Sequence, residues 1–308
     1  MTLQGLKTKK IAVLMGGPSA EREVSLRTGQ AVLKALLAGG FRAVEIDAGR
    51  DLPERLTAVG AEVAFVALHG RFGEDGTVQG LLEVMGIPYT GSGVLASSLA
   101  MDKIATKKIL LQHELPTPAY VALRKGEDVR EFLAQCRHFP LVVKPSREGS
   151  TIGISIVRDP ADLPAALEEA FRHDREVLVE DYIPGQELTV GVLDGEPLPI
   201  IEIVPQGGFY DYQAKYTAGR TEYLLPARLD AAVYERLQQA AVAAFRALNC
   251  AGAARVDFRL KEREFFCLEV NTIPGMTETS LLPKAAASAG IDFGALVQRI
   301  LAGAAVDK

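Results

Sequence analysis

The sequence is short of several things, and each shortage excludes a class of protein. Its three cysteines, Cys136, Cys250 and Cys267, are scattered and lack CxxC spacing, which gives neither a disulfide framework nor a zinc site. No apolar run approaches the ~18–20 residues of a bilayer span, and the polar start from Met1 to Lys10 does not read as a signal peptide. Basic residues are not in surplus: 34 Lys and Arg stand against 39 Asp and Glu, a net charge of −5. Bulk nucleic-acid binding, which displaces counterions with a basic surface, is therefore not expected. There is no GxxxxGK[ST] phosphate loop, no internal repeat and no low-complexity tract. What remains is 308 residues, 48% hydrophobic and 24% charged, enough apolar material for a proper core and too much for disorder. That length suits two or three domains, or one large one, in a soluble cytoplasmic protein that does not engage a membrane.

Hydrophobic periodicity divides the chain into three blocks. In the first, strands at Ile11–Met15, Ala43–Ile46 and Val63–Leu68 alternate with helical patterns at Glu23–Leu37 and Asp75–Met85, punctuated by Gly16-Gly17, Gly39-Gly40, Gly70 and Gly86. This is α/β grammar with a parallel sheet, in which ligands bind beyond the carboxyl ends of the strands. The second block reads as a helix (Lys103–His113), a strand (Ala119–Leu123), a helix (Val129–Cys136), strands at Leu141–Lys144 and Ile154–Val157, a helix (Ala161–His173) and a strand at Val177–Glu180. The third has strands at Leu188–Leu193, Leu198–Val204 and Glu222–Leu225, a helix at Ala231–Leu248, a hairpin over Ala254–Asn271 and two closing helices. Between Pro205 and Arg220 lies a loop long enough to be a lid or binding loop. Gly91-Ser92-Gly93-Val94-Leu95-Ala96 fits the dinucleotide pattern but follows no clear strand, so it reads as a turn that starts a helix.

The hairpin carries the most chemistry. Strand alternation puts Arg255 and Asp257 on one face and Phe265, Cys267, Glu269 and Asn271 on one face of the return strand. With Glu262-Arg263-Glu264 as the loop, Asp257 lies opposite Glu269, and Arg255 opposite Asn271. Facing carboxylates repel unless a cation sits between them, and Asp, Glu and the Asn amide are the hard oxygen donors that Mg²⁺ prefers. One of only two asparagines in the chain is here. A solvated face with ordinary ion pairs is the alternative. Lys144, at the end of an apolar strand before Pro145–Gly153, can offer phosphates a point charge and backbone N–H groups; a plain surface loop would look the same. Glu180-Asp181-Tyr182-Ile183, with Glu187 beyond, is either a purine-binding hinge or an interdomain linker. His69 and Glu21 sit after strands, where a structural role is the simpler reading.

Taken together and in order, these segments resemble the D-alanine–D-alanine ligases, ATP-grasp enzymes of cell-wall synthesis. The matching stretches are Gly16–Ser25, His69–Gly80, Tyr89–Lys103, Val143–Gly153, Lys215-Tyr216, Gly252–Asp257 and Leu268–Leu282, of which His69–Gly80 and Glu269–Gly275 are the most specific. The resemblance implies an α/β fold: an N-terminal parallel-sheet domain (1–97) that binds substrate, then a two-subdomain ATP-grasp fold with a central subdomain (98–184) and a C-terminal subdomain (185–308) holding the metal. It implies that Lys103, Lys144 and Lys215 contact the phosphates of ATP, Glu180, Asp181, Tyr182 and Ile183 its adenine, and Glu187 its ribose. Asp257, Glu269 and Asn271 would hold two Mg²⁺ ions, for which Mn²⁺ can substitute. Glu21 and His69 would bind the first D-alanine, Ser280 and Leu281 the second, and Arg255 with the Gly275 N–H would stabilise the oxyanion. Tyr216, Ser150 and Glu21 would be linked by hydrogen bonds under the lid. A homodimer is expected. The rivals are a D-alanine–D-lactate ligase, another ATP-grasp carboxylate–amine ligase, and a catalytically silent nucleotide-binding module.

Overall fold

The computed structural model describes residues 2–136, 138–149, 151–206, 219–277 and 279–308; Ser150, Lys215, Tyr216 and most of the expected lid lie outside the described residues. After a short helix α1 (Leu3–Leu6), the first block runs β1 (Lys10–Met15), α2 (Arg22–Ala38), β2 (Arg42–Asp47), α3 (Leu52–Val59), β3 (Val63–Val66) and α4 (Thr77–Met85). The three strands form a parallel sheet in the order β2-β1-β3. Strands β1 and β3 are buried almost throughout, as expected when helices cover both faces, which is why they read as unbroken apolar runs. Helix α3 is absent from the sequence reading, although a parallel connection from β2 to β3 demands a crossover. Its signals are present: Pro53 in the first turn and Gly60 in the left-handed conformation at the end.

Helix α5 (Val94–Met101) starts directly after Gly91–Gly93 with only isolated bridges from Tyr89 to Ala64 and to Ala305 before it, so the glycines do open a helix. Next come α6 (Lys103–Gln112), β4 (Tyr120–Arg124), α7 (Arg130–Gln135), β5 (Leu141–Pro145), β6 (Ser155–Val157), α8 (Leu163–His173) and β7 (Glu176–Asp181). These strands make an antiparallel sheet in the order β4-β7-β5-β6, with the apolar side of α8 on one face. The remaining strands, β8 (Gln186–Leu193), β9 (Glu196–Pro197), β10 (Ile201–Pro205), β11 (Thr221–Leu224), β12 (Ala253–Lys261) and β13 (Glu264–Asn271), form a second antiparallel sheet. Its order is β11-β10-β8-β12-β13, with β9 on β8 and the long helix α9 (Ala231–Ala247) packed against it. Helices α10 (Leu281–Ser288) and α11 (Phe293–Ala302) close the chain. They pack with α2 and the first sheet in one core containing Val32, Leu36, Leu296 and Ile300, so the last helices tie the third block to the first.

The hairpin differs from expectation in one instructive way. Arg255 does pair with Asn271, and Asp257 with Glu269, but the turn is Glu262-Arg263, because Lys261 pairs with Glu264. A bulge at Leu268, between the Asp257–Glu269 and Phe258–Cys267 pairs, supplies the residue that the shorter turn lacks. A three-residue turn and a two-residue turn with one bulge give the same pairing beyond it. They do not give the same facing. Phe265 and Cys267 are buried in the core with Phe258 and Leu260, on the face opposite Glu269 and Asn271. Their burial therefore says nothing about the carboxylate face.

Candidate active site

The carboxyl ends of the first sheet, the floor of the β12–β13 hairpin and the start of α6 enclose a cavity of 330 Å³. On the hairpin side, Arg255 turns along its own strand onto Asp257, with Nε donating to Oδ1 over 2.9 Å and Nη2 to Oδ2 over 2.8 Å. Thr189, which faces Asp257 from β8, donates its hydroxyl to the same Oδ1 over 2.6 Å. Glu269 Oε2 lies 3.4 Å from Lys103 Nζ, which also donates to the Glu148 carbonyl over 2.8 Å. Asn271 accepts from the Ile273 N–H over 3.1 Å, which leaves its amide oxygen a second lone pair. Two facing carboxylates and an amide oxygen on one sheet face are a donor set that fits Mg²⁺, whose remaining positions phosphates and water can fill. The cationic groups of Arg255 and Lys103 balance the carboxylates. Among the described residues no group of three His, Cys, Asp or Glu side chains is placed to hold a metal; the set here is two carboxylates and an amide oxygen.

The opposite wall comes from the first block. Glu21 precedes α2 and its carboxylate lies in a notch between two glycines: a Cβ on Gly70 would stand 2.8 Å from Oε2, and one on Gly149 3.0 Å. Gly70 is also left-handed, at φ +69°, so a side chain there is disfavoured twice. His69 is buried, with Nε2 3.1 Å from the Thr28 hydroxyl and Nδ1 3.8 Å from Glu74. Glu74 also accepts from the Gly70 N–H over 2.6 Å, which fixes the turn that carries His69. At the far end, Gly275, Ser280 and Leu281 border the cavity where α10 begins, and Ser280 Oγ accepts from the Thr277 N–H over 3.0 Å. The first turn of α10 offers the N–H groups of Leu281 and Leu282, Pro283 having none, and these suit a carboxylate. Glu148 also borders the cavity, its carboxyl pushed up by burial against the pull of His173 and Lys103.

The residues expected at the nucleotide form a second group beyond this cavity. Glu180 is fully buried between Lys144, which meets Oε1, and Lys107, whose Nζ is 2.8 Å from Oε2. Burial alone would raise the Glu180 carboxyl; Lys144 and then Lys107 outweigh it and hold it below the usual range. Burial pushes the Lys107 ammonium down to about 8, with Glu180 opposing. Asp181 is exposed at the end of β7. The Tyr182 ring lies between the Arg158 and Arg259 guanidinium groups, at 5.7 and 5.8 Å. Arg259 also binds Glu187 over 3.2 Å and donates to the Ile183 carbonyl over 3.0 Å, so hinge and ribose candidate share one arginine.

The structure thus gathers Glu21, His69, Lys103, Arg255, Glu269, Asn271, Gly275, Ser280 and Leu281 around one cavity, with Asp257 directly beneath Arg255. Sequence reasoning missed Lys107, Thr189 and Glu74. Lys107 carried a signal: it follows Lys103 by one helical turn on the same face. Thr189 carried none, because its partner comes from a strand 68 residues away.

Known proteins resemble the chain along its length. The family model described as D-ala D-ala ligase N-terminus matches residues 43–92, and that described as D-ala D-ala ligase C-terminus matches residues 109–302. The chain is 65% identical to the D-alanine–D-alanine ligase of Syntrophotalea carbinolica over 100% of both chains, and 58% identical to that of Citrifermentans bemidjiense over 99% of each. A crystal structure of D-alanine–D-alanine ligase from Bacillus anthracis complexed with ATP matches with a TM-score of 0.84 at 39% identity, covering 96% of this chain and 97% of that one. The chain belongs to the D-alanine–D-alanine ligase family.

Proposed function

We propose that the chain joins two D-alanine molecules into D-alanyl-D-alanine at the expense of ATP, for peptidoglycan precursor synthesis in the cytoplasm. The observation that carries this reading is the convergence of Glu21, Arg255, Glu269 and the α10 start on one cavity. Glu21 takes the ammonium of the first D-alanine, with His69 beside it. The substrate carboxylate attacks the γ-phosphorus, the bond to the β-phosphate oxygen breaks, and ADP and D-alanyl phosphate result. Lys103, Lys144 and Lys215 hold the phosphates, because phosphoryl transfer depends on positioning and charge neutralisation. Asp257, Glu269 and Asn271 would hold Mg²⁺, two ions in this proposal and replaceable by Mn²⁺, which neutralises charge on phosphate oxygens when bound.

The second D-alanine docks its carboxylate at Ser280 and Leu281. Its amine, once it has lost a proton, attacks the acyl carbon; Arg255 and the Gly275 N–H meet the oxyanion, which collapses to the amide and releases phosphate. The adenine and ribose contacts we assign to Glu180, Asp181, Tyr182, Ile183 and Glu187 follow from the resemblance, as do the roles of Ser150, Lys215 and Tyr216. Residues 1–97, 98–184 and 185–308 are our proposed functional units. A homodimer is also proposed; the exposed Val84, Val94 and Leu95 on α4 and α5 offer it an apolar face, which sedimentation at graded concentrations tests. The activity is tested by ADP release with D-alanine, L-alanine and D-alanine plus D-lactate, with products identified by mass. D-Alanyl-D-alanine is the expected main product; ADP release confined to another pair of substrates, or none at all, rejects the reading.

A further inference from the structure

We propose that Lys107 is a positioning residue for the nucleotide end of the site: it holds the Glu180 carboxylate from behind and keeps the Lys144 ammonium available to phosphate. This rests on the reading of Lys144 as a phosphate-binding residue. Lys107 has no exposed surface, so it cannot touch a nucleotide itself. Its ammonium is nonetheless fixed on several sides. It sits 2.8 Å from Glu180 Oε2 and donates to the Thr117 hydroxyl over 2.6 Å and to the Pro118 carbonyl over 3.2 Å. Thr117 in turn donates to the Cys267 carbonyl over 2.8 Å, beside the bulge in β13. The Tyr120 ring lies 5.3 Å away.

A fully buried ammonium is costly and needs its partners. A single lysine would be enough to neutralise Glu180, and Lys144 already meets Oε1. The second lysine changes the balance. With Lys144 alone, the pair is neutral and the carboxylate draws that ammonium to itself, cancelling its field where phosphate oxygens would lie. With Lys107 on Oε2, one carboxylate is shared between two ammonium groups and the cluster keeps a net positive charge. Glu180 Oε2 lacks a hydrogen bond of good geometry despite its ion pair, so Lys107 acts on it by charge and position. A purely structural Lys107, tying α6 to the sheet, would affect both substrates alike.

The experiment measures equilibrium ATP binding to the Mg²⁺-loaded enzyme without D-alanine, and the KM values for ATP and D-alanine. Lys107→Met is expected to weaken ATP about tenfold, the size of one charge-assisted hydrogen bond, while the KM for D-alanine stays nearly unchanged. In a Glu180→Gln background the same substitution is expected to have almost no effect on ATP binding, because the group it acts through is gone. Unaltered ATP binding in Lys107→Met, equal shifts in both KM values, or an undiminished loss in the Glu180→Gln background each overturn the proposal. If Lys107→Met does not fold, Glu180→Gln and Glu180→Gln/Lys107→Met carry the comparison: equal ATP affinity supports the proposal, and a further tenfold loss rejects it. Lys144→Met separates the two levels of the argument. Should it too leave ATP binding intact, the phosphate assignment fails; should it alone weaken ATP, only the role of Lys107 fails.

Discussion

Glu269 faces Lys103 across 3.4 Å with a third of its side chain exposed, whereas Glu180 is held by two lysines with 3% of its side chain exposed. Both are carboxylates at strand ends beside the cleft. In the cavity, the Lys103–Glu269 pair is long and its carboxylate borders the open space, so an incoming cation can reach Glu269 at less desolvation cost than it could reach Glu180. In the Glu180 cluster the charges are already stripped of water, and exchanging one of them means stranding another. The cavity is therefore suited to binding and releasing charged substrates, and the cluster to holding a fixed positive field beside them.

Substitutions break this contrast in different currencies. Glu269→Gln is expected to lower the rate of ADP formation by about 10³-fold or more, since one of the two facing carboxylates of the proposed metal-binding face is lost; steady-state assays across a Mg²⁺ titration check this. Glu180→Leu is expected to destabilise the fold by about 3–5 kcal/mol, because two buried ammonium groups lose their counterion. Urea unfolding reads it as a lower midpoint at unchanged slope. Arg255→Lys should cost about 10²-fold in turnover, since a lysine cannot reproduce the two-pronged grip on Asp257 while presenting donors to the cavity. ADP release at saturating substrates is the measurement.

The Glu180 cluster also has a pH signature. Its carboxyl is held below the ordinary value of 4.5, so its stabilisation is complete above that value. As pH falls, the unfolded chain takes up its proton first, and the stabilisation disappears on the way down to the folded value. The loss of stability between pH 7 and about pH 4 should therefore be smaller in Glu180→Gln than in the parent chain, as compared by urea midpoints at the two pH values.

Most elements were legible because their periods are local: β1 and β3 as apolar runs, α2 and α9 as amphipathic stretches closed by glycine or a polar turn. The facing of Arg255 and Asp257 followed from alternation along one strand. What was hidden depends on pairing across distance. The Leu268 bulge cannot be seen in a sequence, because it compensates a shorter turn and leaves Asp257 opposite Glu269 either way. The Lys107–Glu180 pair joins α6 to β7, and although Lys107 follows Lys103 on one helix face, a helical lysine reads as solvent-facing until the sheet covers it. Helix α3 is hard to read for a different reason: only 8 residues long, it offers two turns of periodicity and has Pro53 and Gly60 as its only strong end signals.

The variant with one of the largest effects on turnover should have the smallest effect on stability, and that pairing is the sharpest test of the contrast. Glu269→Gln removes an ion pair whose carboxylate is a third exposed and 3.4 Å from Lys103, a contact weakened by solvent and separation. It also removes repulsion from Asp257, directly opposite in the sheet. That relief is modest, because Arg255 and Thr189 already occupy the Asp257 carboxylate. Lys103 keeps its hydrogen bond to the Glu148 carbonyl, so it is not left without a partner. The two small changes oppose each other, and the stability of the substrate-free protein should stay within about 1 kcal/mol of the parent. A urea midpoint shifted as far as that of Glu180→Leu would mean that Glu269 is structurally committed in the way Glu180 is, and the division between an exchangeable cavity and a fixed cluster would not stand.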